Sequence, residues 1–361
     1  MRIAVDIRSL MEGKTTGVEV YLQNLLHNLF RVDQKNEYIL FANSWRDISK
    51  SLALFPYPNV RLKITRYPNK LFNIMQRFGW LKVEKFTGPI DLFFSPHWRV
   101  VSLSSNTRLV ITFHDLFFEI MPGFFTWRRR LWHWFMNYRR AANRATAIIT
   151  VSENTKSDLT RLYRIADNKI FVIYSGITKK ENKRVSRRYF LYLGTFEPRK
   201  NIEAVLSAYA EYYATSSKKL PLIISGSSGW TTKIIIPEFL RSQILVRQSI
   251  DEREKSELYQ GAFAFIFPSF YEGFGFPVLE SAQIGVPVIS SYNSSIAEIG
   301  SDFVLFANPF HPRQVAKAMI TLESDPRLYE ELVKKSLNSA AKFDWEKSAR
   351  STLALFEKIC A

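Results

Sequence analysis

Two acidic residues flank a pair of glycines in the stretch YEGFGFPVLE. Glu272 directly precedes Gly273, Gly275 follows two residues later, and Glu280 comes after Pro277. Ionised carboxylates accept hydrogen bonds from hydroxyl groups, and glycines let backbone N–H groups approach a ligand. Because Pro277 favours a helix start, the glycines precede a helix N-terminus, which attracts phosphate or sugar oxygens. The spacing predicts a ligand crevice faced by both carboxylates; the alternative is an ordinary turn with a surface Glu272.

A pair of cations stands before another predicted helix, in LGTFEPRKN. A strand over Tyr189–Leu193 ends at Gly194, which begins a loop, and Asn201 is a plausible helix N-cap. Arg199 and Lys200 lie just before that helix. Fixed cations there suit a diphosphate, whose charge grows as a group leaves it. The alternative is a solvated charge pair in a loop.

Histidines follow two predicted strands. His114 and Asp115 come directly after the strand Leu109–Phe113. Open α/β sheets bind ligands beyond the carboxyl ends of their strands, so His114 is a candidate site residue. His97, in SPHWR, is a weaker candidate on the acceptor side. For both, the alternative is a turn residue with its hydrogen bonds satisfied.

Strand and helix patterns alternate throughout, which is typical of doubly wound α/β sheets. The loop after the first strand contains Gly13, Thr15, Thr16 and Gly17, and there a backbone can approach a ligand; the alternative is that Gly17 serves helix geometry only. The charged segment 179–188 has no periodicity and reads as a linker. We therefore predict one domain over residues 1–185 and a second over 186–344. Strands are predicted at Arg2–Ile7, Tyr38–Ala42, Val60–Thr65, Asp91–Ser95, Leu109–Phe113, Ala147–Val151, Lys169–Tyr174, Tyr189–Leu193, Leu222–Ser225, Phe263–Phe267, Val286–Ser290 and Phe303–Ala307.

The stretch YEGFGFPVLESAQIGVPVISS resembles the signature of retaining family-four glycosyltransferases of the GT-B fold. The resemblance implies two Rossmann-like domains with doubly wound parallel sheets that face across a cleft. It also implies that the last helix, within residues 345–361, crosses back to the first domain. The family often has arginine directly after the first glycine, where this chain has Thr195, so we expect Arg199 to cover that role.

By the same resemblance, site residues receive roles toward a nucleoside diphosphate sugar. Arg199 and Lys200 would bind its phosphates, Glu280 its ribose, and Glu272 with the backbone of Gly273, Phe274 and Gly275 the sugar hydroxyls. Gly194 and Ile250 lie in loops that hold the donor, the latter beside the base. His114 would reach the reacting carbon, while Gly17 and Asp115 would line the acceptor or phosphate loop.

The implied reaction moves a hexose such as mannose, or a related sugar, to a glycan or lipid-linked acceptor with retention of configuration. Bacterial-type cell-surface polysaccharide synthesis is the expected context. We expect no metal and no cofactor besides the sugar nucleotide as co-substrate. A non-catalytic sugar-nucleotide-binding relative is one alternative, and a phosphorylase or epimerase on the same fold is another.

Composition bounds the remaining possibilities. A chain of 361 residues with 47% hydrophobic residues can bury two cores. Its single cysteine, Cys360, excludes an internal disulfide and fits a reducing compartment. Without a signal peptide or a run of about 20 apolar residues, the expected location is cytoplasmic, in part peripheral on the inner face of the membrane.

Positive charge is concentrated in the first half. Up to Val185 the chain has 30 Lys and Arg against 14 Asp and Glu, while the rest has 20 against 19. Such an excess suits nucleic acid, an anionic membrane or a phosphorylated substrate. Nucleic-acid binding therefore stands as a further alternative function, although paired glutamates would oppose a phosphate backbone.

The segment Phe124–Arg144 is the most basic and aromatic part of the chain. Trp127, Leu131, Trp134 and Tyr138 recur at helical spacing and predict one apolar stripe. One interpretation is a helix that packs on the sheet with a solvated basic face. The other is an interfacial helix on anionic lipid, since basic residues with tryptophan favour that position.

Overall fold

The chain folds into two compact units in a computed structural model that describes residues 1–11, 17–44, 55–179, 186–227, 229, 234–248 and 250–361. The first unit comprises Met1–Gly176 and Asp344–Ala361, and the second comprises Ile177–Phe343. The predicted boundary at residue 185 lies outside the described residues, as does most of the predicted linker.

A parallel sheet of seven strands, in the order β3-β2-β1-β4-β5-β6-β7, forms the centre of the first unit. Most of these strands are continuous apolar runs buried on both faces, as parallel sheets covered by helices require. The strands are β1 Arg2–Asp6, β2 Glu37–Asn43, β3 Val60–Thr65, β4 Leu92–Ser95, β5 Arg108–Phe113, β6 Ala147–Thr150 and β7 Ile170–Val172.

The second unit contains a parallel sheet of six strands, in the order β10-β9-β8-β11-β12-β13. The twelve predicted strands occur where the sequence places them, with bounds that differ by two residues or fewer, whereas the strand at Ile244–Arg247 was not predicted. The strands are β8 Tyr189–Leu193, β9 Leu222–Ser225, β10 Ile244–Arg247, β11 Ala262–Phe267, β12 Val288–Ser290 and β13 Val304–Phe306.

Helices connect the strands in both units. The α-helices are α1 Gly17–Val32, α2 Asn69–Phe78, α3 Glu84–Thr87, α4 Phe117–Ile120, α5 Trp127–Met136, α6 Tyr138–Arg144, α7 Glu153–Asp158, α8 Ile202–Thr215, α9 Glu252–Gly261, α10 Phe276–Ala282, α11 Ser295–Ile299, α12 Pro312–Ser324, α13 Pro326–Ala340 and α14 Trp345–Cys360. Helix α14 belongs to the first unit, where it packs on α1, as the resemblance implied. Short 3-10 turns lie at Arg8–Met11, Pro122–Phe124, Asp167–Lys169, Pro198–Lys200 and Glu238–Leu240, and a π-helical turn at Leu159–Tyr163.

The single helix predicted within Phe124–Arg144 is wrong. Asn137 adopts a left-handed conformation, with φ of 50°, that ends α5. Its side chain then accepts a hydrogen bond from the Arg140 backbone and caps α6. Tyr138, in α6, is buried, whereas Trp127 and Trp134, in α5, are exposed. The predicted stripe therefore does not pack on the sheet as one face.

Candidate active site

The loops that follow β8 and β11 meet at the point where the strand order of the second sheet reverses. Strands β8 and β11 are neighbours, with β9 and β10 on one side and β12 and β13 on the other. Loops that leave such neighbours diverge to opposite faces and open a crevice at the carboxyl edge. Gly194, Arg199 and Lys200 follow β8, and Glu272 follows β11.

Arg199, Lys200 and Glu272 form one hydrogen-bonded cluster at this edge. The Lys200 ammonium Nζ lies 2.7 Å from Glu272 Oε1, and Arg199 Nη1 lies 3.3 Å from Glu272 Oε2. Lys200 also lies 4.9 Å from the centre of the Phe267 ring. Both Lys200 and Glu272 are buried, so their pairing is only weakly screened by solvent. The structure thus brings together three residues that the sequence assigned separately.

Burial and charge oppose each other in this cluster. Burial alone would raise the pKa of the Glu272 carboxyl, but attraction to Lys200 and Arg199 brings that pKa below its usual value. Burial and the nearby Arg199 lower the pKa of the Lys200 ammonium, against the opposing attraction of Glu272. Glu272 therefore stays ionised at neutral pH, and its charge holds the two cations in place.

The two cations are not an uncompensated positive site. Arg199 Nε also lies 2.9 Å from Glu197 Oε2, so two carboxylates accompany Arg199 and Lys200. Both cations are fixed in place, and the two carboxylates balance their charges within this cluster. An ammonium carries three N–H donors, and only one of those of Lys200 is directed at Glu272. The remaining donors suit phosphate oxygens through hydrogen bonding rather than through net charge.

Serine hydroxyls fix the position of Glu272. Ser269 Oγ donates to Glu272 Oε1 at 2.6 Å, and the Glu272 backbone N–H donates to Ser294 Oγ at 2.8 Å. Ser295 Oγ donates to the Glu272 carbonyl oxygen at 2.9 Å. The sequence analysis singled out none of the three serines individually. All three follow β11 or β12 at the carboxyl edge of the sheet, and this position could have marked them as candidate site residues.

The glycine stretch after Glu272 has the backbone geometry that glycine permits. Gly275 has a φ of 100° and immediately precedes α10, in which Pro277 is the second residue rather than the first. The Phe274 ring is buried and packs 5.1 Å from the Phe276 ring. Gly273 is buried beside it.

The other predicted donor-loop residues lie at their expected positions, with one change in role. Gly194 donates its N–H to the Ser225 carbonyl oxygen at 3.0 Å. Ile250 is half-buried and directly precedes Asp251, which caps α9. Asn201 stands at the N-cap of α8, but its side chain donates to the carbonyl oxygens of Pro268 and Pro309 instead of capping. The same residue therefore joins the loops around the cluster.

Glu280 has partners of its own. Its Oε1 lies 2.7 Å from Lys255 Nζ, and its Oε2 accepts a hydrogen bond from the Tyr259 hydroxyl at 3.1 Å. Burial alone would lower the pKa of Lys255, but attraction to Glu280 and Glu252 raises it. Helix α9, which carries both partners, was not predicted from the sequence. The two acidic residues of the motif thus belong to two different clusters in the second unit.

We expect Glu280→Gln to weaken donor binding with little effect on the chemical step. A hydrogen bond to a charged group contributes about 1.5–3 kcal/mol, which corresponds to roughly 10- to 100-fold in KM for the sugar nucleotide. Glu257→Gln is the matched control, because Glu257 lies on the exposed surface of α9. Equal KM values for the two variants would contradict a role in ribose binding.

In the first unit, His114 lies at the carboxyl edge of the sheet as predicted. Its Nε2 is 2.8 Å from the Pro96 carbonyl oxygen, and because a carbonyl only accepts, this nitrogen carries a proton. Burial lowers the pKa of the imidazole, so the neutral ring presents Nδ1 as an acceptor. The Tyr21 ring, 4.7 Å away and nearly perpendicular, holds the imidazole in place.

The remaining predicted residues of the first unit have mainly local contacts. Asp115 Oδ1 accepts a hydrogen bond from the Phe117 backbone at 3.1 Å, and the carboxylate is half-buried. Gly17 is exposed and is the first residue of α1 instead of part of the loop. The other residues of that predicted loop, Gly13, Thr15 and Thr16, lie outside the described residues.

Stability of the first unit is expected to fall as pH falls below about 6.5, the pKa of an unperturbed histidine. Burial lowers the pKa of His27, His97, His114 and His133, so the unfolded chain binds protons that the folded unit does not. Because the unfolded state binds more protons, the free energy of unfolding decreases as pH falls. The decrease ends where the histidines of the folded unit also become protonated. Urea unfolding at about pH 7 and about pH 5.5 tests this. His311→Asn, in the second unit, should leave the slope unchanged, and pH-independent stability of the first unit over this range would contradict the account.

Comparison with known proteins places this geometry among sugar-transferring enzymes. The family Glycosyl transferases group 1 matches residues 174–339, and Glycosyltransferase Family 4 matches residues 15–181. The O-antigen chain mannosyltransferase B of Escherichia coli is 29% identical over 268 residues, which cover 69% of this chain and 70% of that protein.

Solved structures share the architecture at low identity. Sucrose-phosphate synthase of Thermosynechococcus elongatus superposes with a TM-score of 0.75 at 18% identity, over 99% of this chain and 98% of that one. HepE of Anabaena in complex with UDP-glucose superposes with a TM-score of 0.73 at 14% identity, over 99% and 100%. The two parallel sheets and these matches define a GT-B glycosyltransferase.

The two family matches, which lie one after the other along the chain, support a GT-B glycosyltransferase of group 1. The resemblance seen in the YEGFGFPVLE stretch is thereby confirmed as to family and fold. Across the described ranges, no three His, Cys, Asp or Glu side chains gather closely enough to hold a metal ion. None of the described helices has the length and apolar composition needed to cross a bilayer.

Proposed function

We propose that this enzyme transfers a hexose, such as mannose, from a nucleoside diphosphate sugar to a glycan or lipid-linked acceptor in cell-surface polysaccharide synthesis. The buried cluster of Lys200, Arg199 and Glu272 carries the proposal, because it stands at the strand-order reversal of the second sheet. The similarity to a mannosyltransferase of O-antigen chains supports the sugar and the context. The fold shared with a protein in complex with UDP-glucose is consistent with a nucleotide sugar.

In the proposed donor complex, Lys200 and Arg199 donate to the diphosphate and Glu280 accepts from the ribose. Glu272 Oε1 already accepts from Lys200 and Ser269, whereas Oε2 accepts from Arg199 and keeps lone-pair capacity for a sugar hydroxyl. Gly194 and Ile250 line the nucleotide, and the backbone of Gly273–Gly275 faces the sugar. In this proposal the N–H donors bind the phosphate oxygens, and the carboxylates bind the hydroxyl groups of the sugar and the ribose.

Leaving-group stabilisation is the proposed source of rate enhancement. As the glycosidic bond to the phosphate breaks, negative charge grows on the diphosphate, and the N–H donors of Lys200 and Arg199 bind it more strongly. The departing phosphate oxygen takes the proton of the acceptor hydroxyl, while the acceptor oxygen bonds to the anomeric carbon on the face that the phosphate leaves, which retains the configuration. His114 reaches the reacting carbon of the donor sugar and Asp115 serves the acceptor side, and Arg and Lys donors take the place of a metal ion.

A product assay tests the proposal. The full-length protein is incubated with UDP- and GDP-hexoses and a short mannoside acceptor, and the new linkage is assigned by NMR. If the donor has an axial anomeric bond and the new glycosidic bond is also axial, the result would support transfer with retention. Donor binding without any transfer would instead favour the non-catalytic alternative, and an inverted product would contradict the mechanism. Nucleic-acid binding gains no support from the family matches.

We further propose that α5 contacts an anionic membrane surface. Trp134 is 77% exposed and Trp127 is 68% exposed, and Arg128–Arg130 are exposed between them. The helix is attached through its other face, where the His133 ring stacks 4.8 Å from the Phe118 ring. Large exposed aromatic side chains beside arginines suit the boundary between lipid headgroups and acyl chains.

A neighbouring helix extends this aromatic and basic surface. Arg77 Nε donates to the Phe135 carbonyl oxygen at 3.2 Å, which joins the end of α2 to α5. Phe78 and Trp80 follow Arg77, are exposed, and stack 5.1 Å apart. The exposed aromatic surface thus extends from α5 to the end of α2, and an exposed apolar patch of this kind usually marks an interaction site. This continuity favours the membrane interpretation over a helix that only covers the sheet.

Replacing Arg128, Arg129 and Arg130 together by glutamine is expected to weaken binding to phosphatidylglycerol vesicles. Each arginine near an anionic surface contributes about 1 kcal/mol, so we expect roughly a 100-fold loss. Sedimentation with vesicles measures it. Phe239→Ala is the control, since Phe239 is 65% exposed but lies in the second unit. Unchanged vesicle binding by the triple variant would refute the membrane surface.

A further inference from the structure

A group of aromatic rings around Trp98 lies beyond the carboxyl end of β4, next to His114. Strand β4 ends at Ser95, and the order of the first sheet reverses between β1 and β4. His114 Nε2 donates to the Pro96 carbonyl oxygen, and Ser95 Oγ donates to the His97 carbonyl oxygen at 2.6 Å. These bonds fix the turn that carries Trp98 at the edge where open α/β sheets bind ligands.

Trp98 is half-buried, and its indole ring contacts aromatic rings from four other positions. Its centre lies 4.3 Å from the Tyr138 ring, which meets it edge-on, and 5.0 Å from the Phe118 ring. Both of these rings are buried. The rings of His97 and His133 lie 4.4 Å and 5.7 Å away. The indole is therefore held in one orientation while part of its surface stays open to solvent.

Each of the two histidine rings beside Trp98 has a nitrogen without a partner. Nδ1 of His97 and Nδ1 of His133 are buried and make no hydrogen bond within the part of the chain that the structure describes. Burial lowers the pKa of both imidazoles, so each neutral ring carries one N–H. A buried N–H without an acceptor is costly, which favours the proton on Nε2 of each ring. Since both residues are only half-buried, this N–H can donate to a ligand oxygen.

An aromatic face beside neutral hydrogen-bonding groups suits a sugar ring. One face of a pyranose consists of C–H groups, which suit the negative face of an indole, and its hydroxyl oxygens accept hydrogen bonds from imidazole N–H groups. Apolar walls with a few convergent polar groups are the usual composition of a small-molecule site.

Nearby charges of both signs favour no particular ligand charge. Asp115 raises the pKa of His133, whereas arginines lower the pKa of one or the other of the two histidines beside Trp98: Arg8, Arg99 and Arg129. A neutral ligand that bears hydroxyl groups therefore suits the site whatever the balance of these charges.

We propose that Trp98 stacks on a pyranose ring of the glycan acceptor while His97 and His133 donate hydrogen bonds to its hydroxyl oxygens. Only the word acceptor rests on the proposed transfer function, since these rings would bind a glycan with or without turnover. Trp98 becomes a determinant of acceptor specificity, because an alkyl chain has no hydroxyl oxygens to accept from the two imidazoles.

Histidine NMR of the full chain with mannotriose, a soluble glycan, tests the site without requiring turnover. The chain has five histidines, so ¹⁵N labelling of their rings gives few signals. We expect the signals of His97 and His133 to move on titration and those of His27 and His311 to stay. Octanol, titrated separately, is the apolar probe. Unmoved His97 and His133 signals with mannotriose, or a larger movement with octanol at equal concentration, would overturn the sugar site.

Replacing Trp98 by leucine should weaken mannotriose binding by roughly 3- to 10-fold, because leucine has no flat ring on which a sugar can stack. Tyr174→Leu is the control. Tyr174 is 39% exposed in the same unit but follows β7, at the far edge of the sheet. Equal mannotriose affinity in wild type and Trp98→Leu would contradict the stacking role.

His133→Phe remains informative if Trp98→Leu fails to fold, because phenylalanine keeps a ring against Phe118 but has no nitrogen. Mannotriose affinity should fall by roughly 3- to 10-fold. The free energy of unfolding should not fall, since an unpaired buried nitrogen is removed as well. His27→Phe is the matched control, because His27 is half-buried against the Phe55 ring in the same unit. Undiminished affinity in His133→Phe would refute its role, whereas mannotriose binding without sugar transfer would overturn only the proposed function.

Discussion

Replacing Lys200 by methionine is expected to lower kcat for sugar transfer by about 10²- to 10³-fold, the range found when a preorganised donor to developing charge is removed. Methionine is of similar length but has no charge and no N–H. The ammonium is buried 2.7 Å from Glu272 and does not depend on solvent for its position. Its donors are therefore in place before the charge on the leaving diphosphate develops, which is the condition for a large effect.

Steady-state kinetics of wild type, Lys200→Met and Lys335→Met measures this effect. Lys335 forms an exposed ion pair with Glu331 on α13, so its replacement should leave kcat unchanged. The loss in Lys200→Met should be larger in kcat than in donor affinity, since the interaction strengthens in the transition state. A wild-type kcat in Lys200→Met would remove Lys200 from the mechanism.

Replacing Glu272 by glutamine is expected to destabilise the second unit by about 3–5 kcal/mol, the usual cost of removing one partner from a buried ion pair. Lys200 and Arg199 would then lie near each other with only Glu197 as a counter-charge. Transfer should also fall by about 100-fold or more, because the position of both donors depends on Glu272. Chemical unfolding and product formation give the two quantities.

The double variant Lys200→Met with Glu272→Gln separates structural from functional roles. With neither charge left in the core, stability should recover most of the loss, since replacing both partners of a buried pair is often nearly neutral. Transfer should not recover. If activity returned together with stability, the pair would be only a structural ion pair, and the donor-site assignment would fail.

Elements of the fold were predictable because each depends on local sequence. Buried parallel strands such as Ile3–Val5 in β1 and Phe265–Phe267 in β11 are apolar without interruption, which periodicity detects directly. Helix α9 escaped prediction because its residues, EREKSELYQG, are almost entirely polar and show no apolar stripe. Its stability comes instead from the capping box at Asp251 and Glu254.

Site residues were predictable one at a time, but their pairing was not. The sequence placed Lys200 on phosphates and Glu272 on sugar hydroxyls, yet the two side chains are bonded to each other across 72 positions of sequence. Only the adjacency of β8 and β11 brings them together, and strand order is not encoded in any local pattern. Arg8 is a similar case: nothing in its local sequence indicates that it is buried in an ion pair with Asp6.

The aromatic segment shows a different limit of sequence patterns. Trp127, Leu131, Trp134 and Tyr138 recur at helical spacing, which predicts a buried stripe. One left-handed residue, Asn137, separates the last of them from the others. Periodicity cannot tell a stripe that faces a core from one that faces lipid, because both require apolar side chains on one face.

Isothermal calorimetry of UDP- and GDP-hexoses binding to the full-length protein tests the central claim most directly. The account predicts measurable binding of at least one sugar nucleotide, weakened by roughly 10- to 100-fold in Lys200→Met and unchanged in Lys335→Met. No binding of any sugar nucleotide, or equal affinity in wild type and Lys200→Met, would contradict it.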